Sequence, residues 1–280
     1  MGQPNGGGRR SARERALRAV KMSAAAVDRV RPPEPGVVVL LYHRVGGSSG
    51  LQIDLPTDLF TQQMEALAEA GNVVSMDVAV DRLSSGSFEG TDSVVVTFDD
   101  GTADFASEAV PILERFRVPA TLYIATDFIE RSQSFPHDGK PLSWSALAAA
   151  QSTGLVTVGS HTHSHALLDR ASPAVVANEL DRSIGLIEDR LGTTLAHFAY
   201  PKALGARGAA EAEVRRRFRS AALGGGKANR HRHTDLYRLQ RTSIQVTDGM
   251  RWFRCKAAGG MALEGTLRRM INRRYAGAAT

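Results

Sequence analysis

Short apolar runs rich in β-branched residues alternate with helical patterns along most of this chain. No other feature limits its fold so strongly. Val37 to Tyr42 is followed by a helical pattern over Phe60 to Ala70, and Ser93 to Phe98 by Ala106 to Phe116. The series continues through Ala120 to Ala125, Trp144 to Ser152, Val156 to Gly159, Pro173 to Leu191 and His197 to Tyr200. Strands that are apolar on both faces and separated by helices form a parallel sheet covered by helices. About seven such units would let the sheet close, so an α/β fold with a (β/α) barrel is expected. With 280 residues, 42% of them hydrophobic, the chain can bury one substantial core. The organisation expected is a basic extension with a Pro-rich linker over residues 1–35, one domain over 36–250, and a basic helical extension over 251–280.

In a barrel of this kind the chemistry sits at the C-terminal ends of the strands and in the loops that follow. Four apolar runs lead directly into polar, reactive residues. His43 follows VVVLLY, Asp99 and Asp100 follow VVVTF, His161 and His165 follow VTVGS, and Tyr200-Pro201-Lys202 follows HFA. All four would gather at one rim.

Adjacent residues at a strand end point to opposite sides, so Asp99 and Asp100 can take different tasks, one binding a metal and the other handling protons. An Asp-Asp-Gly turn or helix cap is the structural alternative. In SHTHSH, a separation of four lets His161 and His165 converge on one ion, while His163 would point elsewhere and bond to the loop. The single cysteine, Cys255, excludes a disulfide framework and a Cys-rich zinc site, which leaves His and Asp as the plausible ligands. Gly224-Gly225-Gly226-Lys227 lacks the spacing and the Ser or Thr of a phosphate-binding loop. Lys227 to His233 reads as a flexible basic loop.

The net charge of +6 raises the question of nucleic acid. Residues 1–30 hold seven Arg or Lys against Glu14 and Asp28, and residues 251–280 hold seven against Glu264, which leaves the middle of the chain acidic. That distribution argues against a nucleic-acid channel through the body. Arg13 to Val30 and Leu263 to Tyr275 read as basic helices, either solvated or packed on the barrel, that could touch an anionic membrane surface. No apolar run approaches the roughly 18 residues of a membrane span. Nor is the N-terminus a convincing signal peptide, because Asp28 and Arg29 interrupt its short apolar patch. A cytoplasmic or membrane-surface location is the resulting expectation.

The motifs Thr97-Phe98-Asp99-Asp100-Gly101, Ser160 to His165 and Phe198-Ala199-Tyr200-Pro201 resemble, in order and spacing, those of the polysaccharide deacetylase family (NodB-homology domain, carbohydrate esterase family four). The likeness extends over roughly residues 36 to 245, and Leu142-Ser143-Trp144 leading into GLVTVGSHT also fits it. It implies a distorted (β/α) barrel with a divalent ion, usually zinc with cobalt or nickel as alternatives, held by Asp100, His161 and His165. Asp99 would then be the general base, and the backbone N–H of Lys202, beside Tyr200 and Pro201, would hold the oxyanion. The substrate implied is a GlcNAc-containing polysaccharide, oligosaccharide or glycolipid.

The chain also departs from the family's common form. No Leu-x-x-His follows residue 240, but Leu41-Tyr42-His43-Arg44-Val45 resembles the YH motif of a permuted subgroup that includes biofilm-polysaccharide deacetylases, which makes His43 the acid. Ala199 stands where many members have an arginine, and Arg241 in Leu239-Gln240-Arg241 resembles a segment able to supply that guanidinium to Asp99. A surface salt bridge is the other role open to Arg241. Two further readings are a weakened glycan-binding protein that keeps the barrel, and an amidase or esterase acting on a small acetylated metabolite.

Overall fold

The computed structural model describes residues 6–85 and 92–275. Residues 1–5 and 276–280 of the two expected extensions lie outside the described residues. In chain order the strands are β1 (Val37–Tyr42), β2 (Arg44–Val45), β3 (Asp54–Leu55), β4 (Ser93–Phe98), β5 (Ala120–Ile124), β6 (Val156–Ser160), β7 (His197–Ala199), β8 (Ser220–Gly224) and β9 (Leu239–Ser243). The α-helices are α1 (Gly6–Val30), α2 (Thr57–Ala70), α3 (Met76–Ser85), α4 (Val110–Phe116), α5 (Thr126–Glu130), α6 (Trp144–Ser152), α7 (Pro173–Leu191), α8 (Gly208–Arg217), α9 (Gly249–Ala257) and α10 (Ala262–Tyr275).

Seven strands close into a barrel in the order β1-β4-β5-β6-β7-β8-β9, with β9 returning to β1. Every neighbouring pair is parallel. The expected α/β barrel of about seven strands is therefore the architecture. Strands β1, β4 and β5 are buried along their whole length because both their faces are covered. Val38, Leu40 and Tyr42 of β1, with Val94, Val96 and Phe98 of β4, pack outward on Phe60, Met64 and Leu67 of α2. The alternate residues Val37, Val39, Val95, Tyr123, Ala199, Ala222 and Leu239 fill the barrel, and Met76, Ala79, Val80 and Leu83 of α3 pack onto them.

This period-two alternation positions the site. Asp99 continues the inward row of Val95 and Thr97, and Arg241 continues that of Leu239. Both side chains are thus carried into the same end of the barrel, from strands that flank β1 on either side.

The described parts of the two basic segments, α1 and α10, pack together on the body. α1 starts at Gly6 rather than near Arg13, and it packs against α10. Lys21 of α1 and Lys256 of α9 meet Asp248 and Glu264 in a group whose four residues are each at most 5% exposed. Lys21 pairs with Asp248 and lies 3.6 Å from Glu264; Lys256 lies 2.8 Å from Asp248 and 3.2 Å from Glu264. Lys256 also donates to the Ser243 carbonyl at 2.9 Å, which ties the cluster to β9. Burial opposes ionisation of Asp248, yet Lys256 and Lys21 outweigh it and hold its pKa below the usual carboxylate value. Two cations and two anions balance there, as buried charges require.

Candidate active site and metal centre

Asp100 lies in the turn that leaves β4. Its φ is 77° and that of Gly101 is 99°, so the chain reverses within two residues, and the Gly101 N–H donates to the Asp99 carbonyl at 3.1 Å. A Cβ at Gly101 would also lie 3.1 Å from Ile124, so glycine suits the position twice over. The reversal sends Asp99 into the barrel and Asp100 towards the histidine loop.

The histidines arrive on β6. A Cβ at Gly159 would lie 2.6 Å from the Tyr123 ring and 2.8 Å from the His197 carbonyl, so only glycine lets β6 approach β5 there. His161 follows, 1% exposed, and its Nδ1 donates to the Ala199 carbonyl at 2.7 Å. That bond fixes the tautomer and leaves the Nε2 lone pair facing the aspartates, as metal-binding imidazoles require. Nε2 of His161 is 3.8 Å from Asp100 Oδ1, and Nε2 of His165 is 3.5 Å from the same oxygen. One donor atom each from Asp100, His161 and His165 falls within 4.8 Å of the others, a set of one carboxylate and two imidazoles that suits zinc. Burial, and then the neighbouring His161, pull the pKa of His165 down to about 4, which keeps it neutral and able to act as a ligand.

His163 takes no part in this set. Its ring is buried, hydrogen-bonds Thr126 Oγ1 at 2.9 Å and lies 3.2 Å from Asp127. The loop is braced by Glu179 of α7, which accepts from the N–H groups of His163 and Ser164 at 3.1 and 2.8 Å. Neither Glu179 nor the Ala199 carbonyl carries any signal in the sequence that would mark it. Glu179 reads there as one more polar residue of an amphipathic helix.

Arg241 donates to both oxygens of Asp99, Nη1 to Oδ1 at 2.6 Å and Nη2 to Oδ2 at 2.7 Å. Its side chain is fully buried and lies over the Tyr123 ring. The surface salt bridge considered for Arg241 is therefore not what forms. Burial raises the pKa of Asp99, but the charges of Arg241 and His161 overcome that effect and bring it down to about 2.

His43 lines the same cleft, half-buried, with its Nδ1 buried and without a hydrogen bond among the described residues. Desolvation lowers its pKa below 6.5, partly offset by Asp100 and Asp99. Of Tyr200, Pro201 and Lys202, only Lys202 lines the cleft. Tyr200 is 1% exposed, with its ring packed on Phe198, and Pro201 is buried, so neither side chain is placed to contact a substrate.

Left-handed backbone gathers around the site, at Asp100, Thr162, His165 (φ 61°), Lys202 (φ 53°) and Ala203. Such conformations cost a non-glycine residue roughly 1–2 kcal/mol each and persist where surrounding structure imposes them. The cleft has a volume of about 540 Å³. Part of its wall was not foreseen: Glu264, Gly265, Arg268 and Arg269 of α10 line it together with the Gly224–Gly226 turn, on which Gly265 packs so closely that a Cβ there would lie 2.3 Å from the Gly225 carbonyl oxygen. The N–H groups of Gly225 and Gly226 both donate to the Arg241 carbonyl, at 3.0 and 3.1 Å, so this turn does not offer them to a phosphate.

Residues 89–219 match the family model described as polysaccharide deacetylase. No curated protein sequence matches the chain. Among solved structures the chain is similar to the Streptococcus pyogenes deacetylase PplD in complex with acetate, at TM-score 0.70 and 21% identity, covering 80% of this chain and 99% of that one. It is similar to IcaB from Ammonifex degensii at TM-score 0.68 and 23% identity, covering 80% and 98%. A de-N-acetylase from Aggregatibacter actinomycetemcomitans gives TM-score 0.64 at 20% identity, covering 79% and 99%. At these identities the structural likeness speaks for the fold.

Proposed function

Residues 89–219 place this chain in the polysaccharide deacetylase family, and from that premise we propose that it removes N-acetyl groups from a GlcNAc-containing polysaccharide, oligosaccharide or glycolipid, releasing acetate. The observation that carries the reading is the convergence of Asp100, His161 and His165 within 4.8 Å beside a carboxylate clamped by arginine. These three residues would hold a divalent ion, with zinc the best fit to the donor set. Such an ion supplies Lewis acidity, lowering the pKa of a water and polarising an acyl carbonyl.

The remaining steps belong to the chain. Asp99, ionised at any working pH, accepts the proton of the attacking water while Arg241 fixes its plane. Lys202 sits at the rim where the oxyanion develops, and its backbone N–H is the donor assigned to it. His43 delivers a proton to the departing nitrogen. The proton that Asp99 takes from the water balances the one that His43 gives to the nitrogen, leaving acetate and a free amine.

The weakened glycan-binding alternative rested on the changes in the third motif, Ala199 in place of an arginine and Lys202-Ala203 in place of an aromatic residue and glycine. Arg241 supplies a guanidinium to Asp99 from another strand, which answers the first of these changes. The test is acetate release from N-acetylglucosamine oligosaccharides with zinc or cobalt added. Release that a chelator abolishes supports the proposal. Absence of release, or release only from O-acetylated sugars, contradicts it.

A further inference from the structure

Eight large hydrophobic residues stand exposed among the described residues, and six of them lie on just two helices: Met22, Val27 and Val30 on α1, Leu263, Leu267 and Met270 on α10. The α10 residues recur at i, i+4 and i+7, the spacing that normally faces a core, yet here the stripe faces outward. Glu264, on the other side of α10, turns inward to Lys21 and Lys256, and Lys21 is likewise the buried side of α1. The apolar residues are thus on the free faces of two helices packed together.

Arginines accompany them. Arg15, Arg18 and Arg29 are exposed on α1, whereas Arg268 and Arg269 of α10 are half-buried on its cleft side, where Arg268 pairs with Glu264 at 3.2 Å. Apolar residues interleaved with arginine on an outward helical face match the chemistry of an anionic lipid headgroup layer over acyl chains. A second copy of the chain fits poorly, because it would bring arginine against arginine.

We propose that the outer faces of α1 and α10 dock this protein onto an anionic phospholipid membrane, with the cleft opening beside that surface. The same α10 contributes Gly265, Arg268 and Arg269 to the cleft. A helix is about 10–12 Å across, so a docked enzyme works within roughly one helix diameter of the membrane. Resting on the deacetylase reading, this makes the substrate a glycan held at the membrane, lipid-linked or still attached to its assembly site.

The test does not depend on catalysis. The full chain is sedimented with vesicles of phosphatidylcholine alone and of phosphatidylcholine with phosphatidylglycerol, alongside two variants. One carries Leu263→Ser, Leu267→Ser and Met270→Ser; the other carries Arg15→Gln, Arg18→Gln and Arg29→Gln. The wild type is expected to pellet with the anionic vesicles only. The arginine variant should bind about a hundredfold more weakly, near fivefold per charge, and the serine variant more than tenfold more weakly. Failure to pellet with anionic vesicles overturns the proposal, as does binding that both variants retain. So does a dimer in analytical ultracentrifugation that the serine variant alone dissolves. Acetate release that survives such a failure would leave the deacetylase reading standing.

Discussion

Arg241 and Asp99 are 142 residues apart in sequence, and the closed barrel sets them face to face in a two-bond pair of 2.6 and 2.7 Å, buried inside the end of the sheet. Removing one partner of a buried pair leaves the other charge uncompensated. Arg241→Ala should therefore cost about 3–5 kcal/mol of stability and at least about tenfold in turnover. Arg241→Lys should rescue little, because an ammonium cannot make the paired contact. Urea unfolding and acetate release on the same preparations check both.

The same pair sets a pH dependence. Asp99 has a folded pKa of about 2 against an ordinary 3.8, so its contribution to stability is complete above about pH 4 and is lost as the pH falls towards 2. Arg241→Gln leaves the burial and removes the cation, so the Asp99 pKa must rise. The acidic limb of the kcat/KM profile is expected to move to higher pH in that variant, and an unmoved limb would show that Asp99 does not titrate in the rate-determining path.

Within the SHTHSH segment the roles should separate cleanly. His161→Ala and His165→Ala should abolish stoichiometric zinc in metal analysis. His163→Ala should keep the metal and lose about 1–3 kcal/mol, since it breaks the Thr126 contact in a buried setting. A His163 variant that loses zinc as completely as the His161 variant would refute this division.

The buried group of Lys21, Lys256, Asp248 and Glu264 ties α1 and α10 to α9 and the barrel. Lys256→Met should destabilise the protein by about 3–5 kcal/mol and speed amide exchange in α1 and α10 ahead of the barrel strands. Uniform exchange across the molecule would argue against a latch.

Lys202 gives a specificity prediction. Its cation at the cleft rim should favour anionic over neutral acceptors, so Lys202→Tyr should narrow that ratio. An unchanged ratio means that the cation does not contact the sugar.

Much of this was legible in the sequence because it is local. The both-face apolar runs dictated parallel strands, and TFDDG and SHTHSH each place their candidate ligands within one turn of a strand end. Two barrel strands, β8 and β9, went unread: Ser-Ala-Ala-Leu-Gly and Leu-Gln-Arg-Thr-Ser carry little apolar signal, and register with their neighbours defines them. The pairing of Arg241 with Asp99 could be suggested only by resemblance, since it depends on barrel closure. Tyr200 reads as a rim residue, but its ring faces Phe198 and the helical layer. The place of α10 in the cleft wall was hidden for a related reason. Its inward contacts are Glu264 and Gly265, residues that no hydrophobic pattern marks as packing.

The central claim is that Asp99 moves protons beside a metal it does not hold. The most direct measurement compares wild type with Asp99→Asn for zinc content and acetate release from an N-acetylglucosamine oligosaccharide. The account predicts equal zinc and a loss of turnover of about 10²–10⁴-fold in the variant. Equal acetate release by the two proteins, or loss of zinc together with activity, would contradict it.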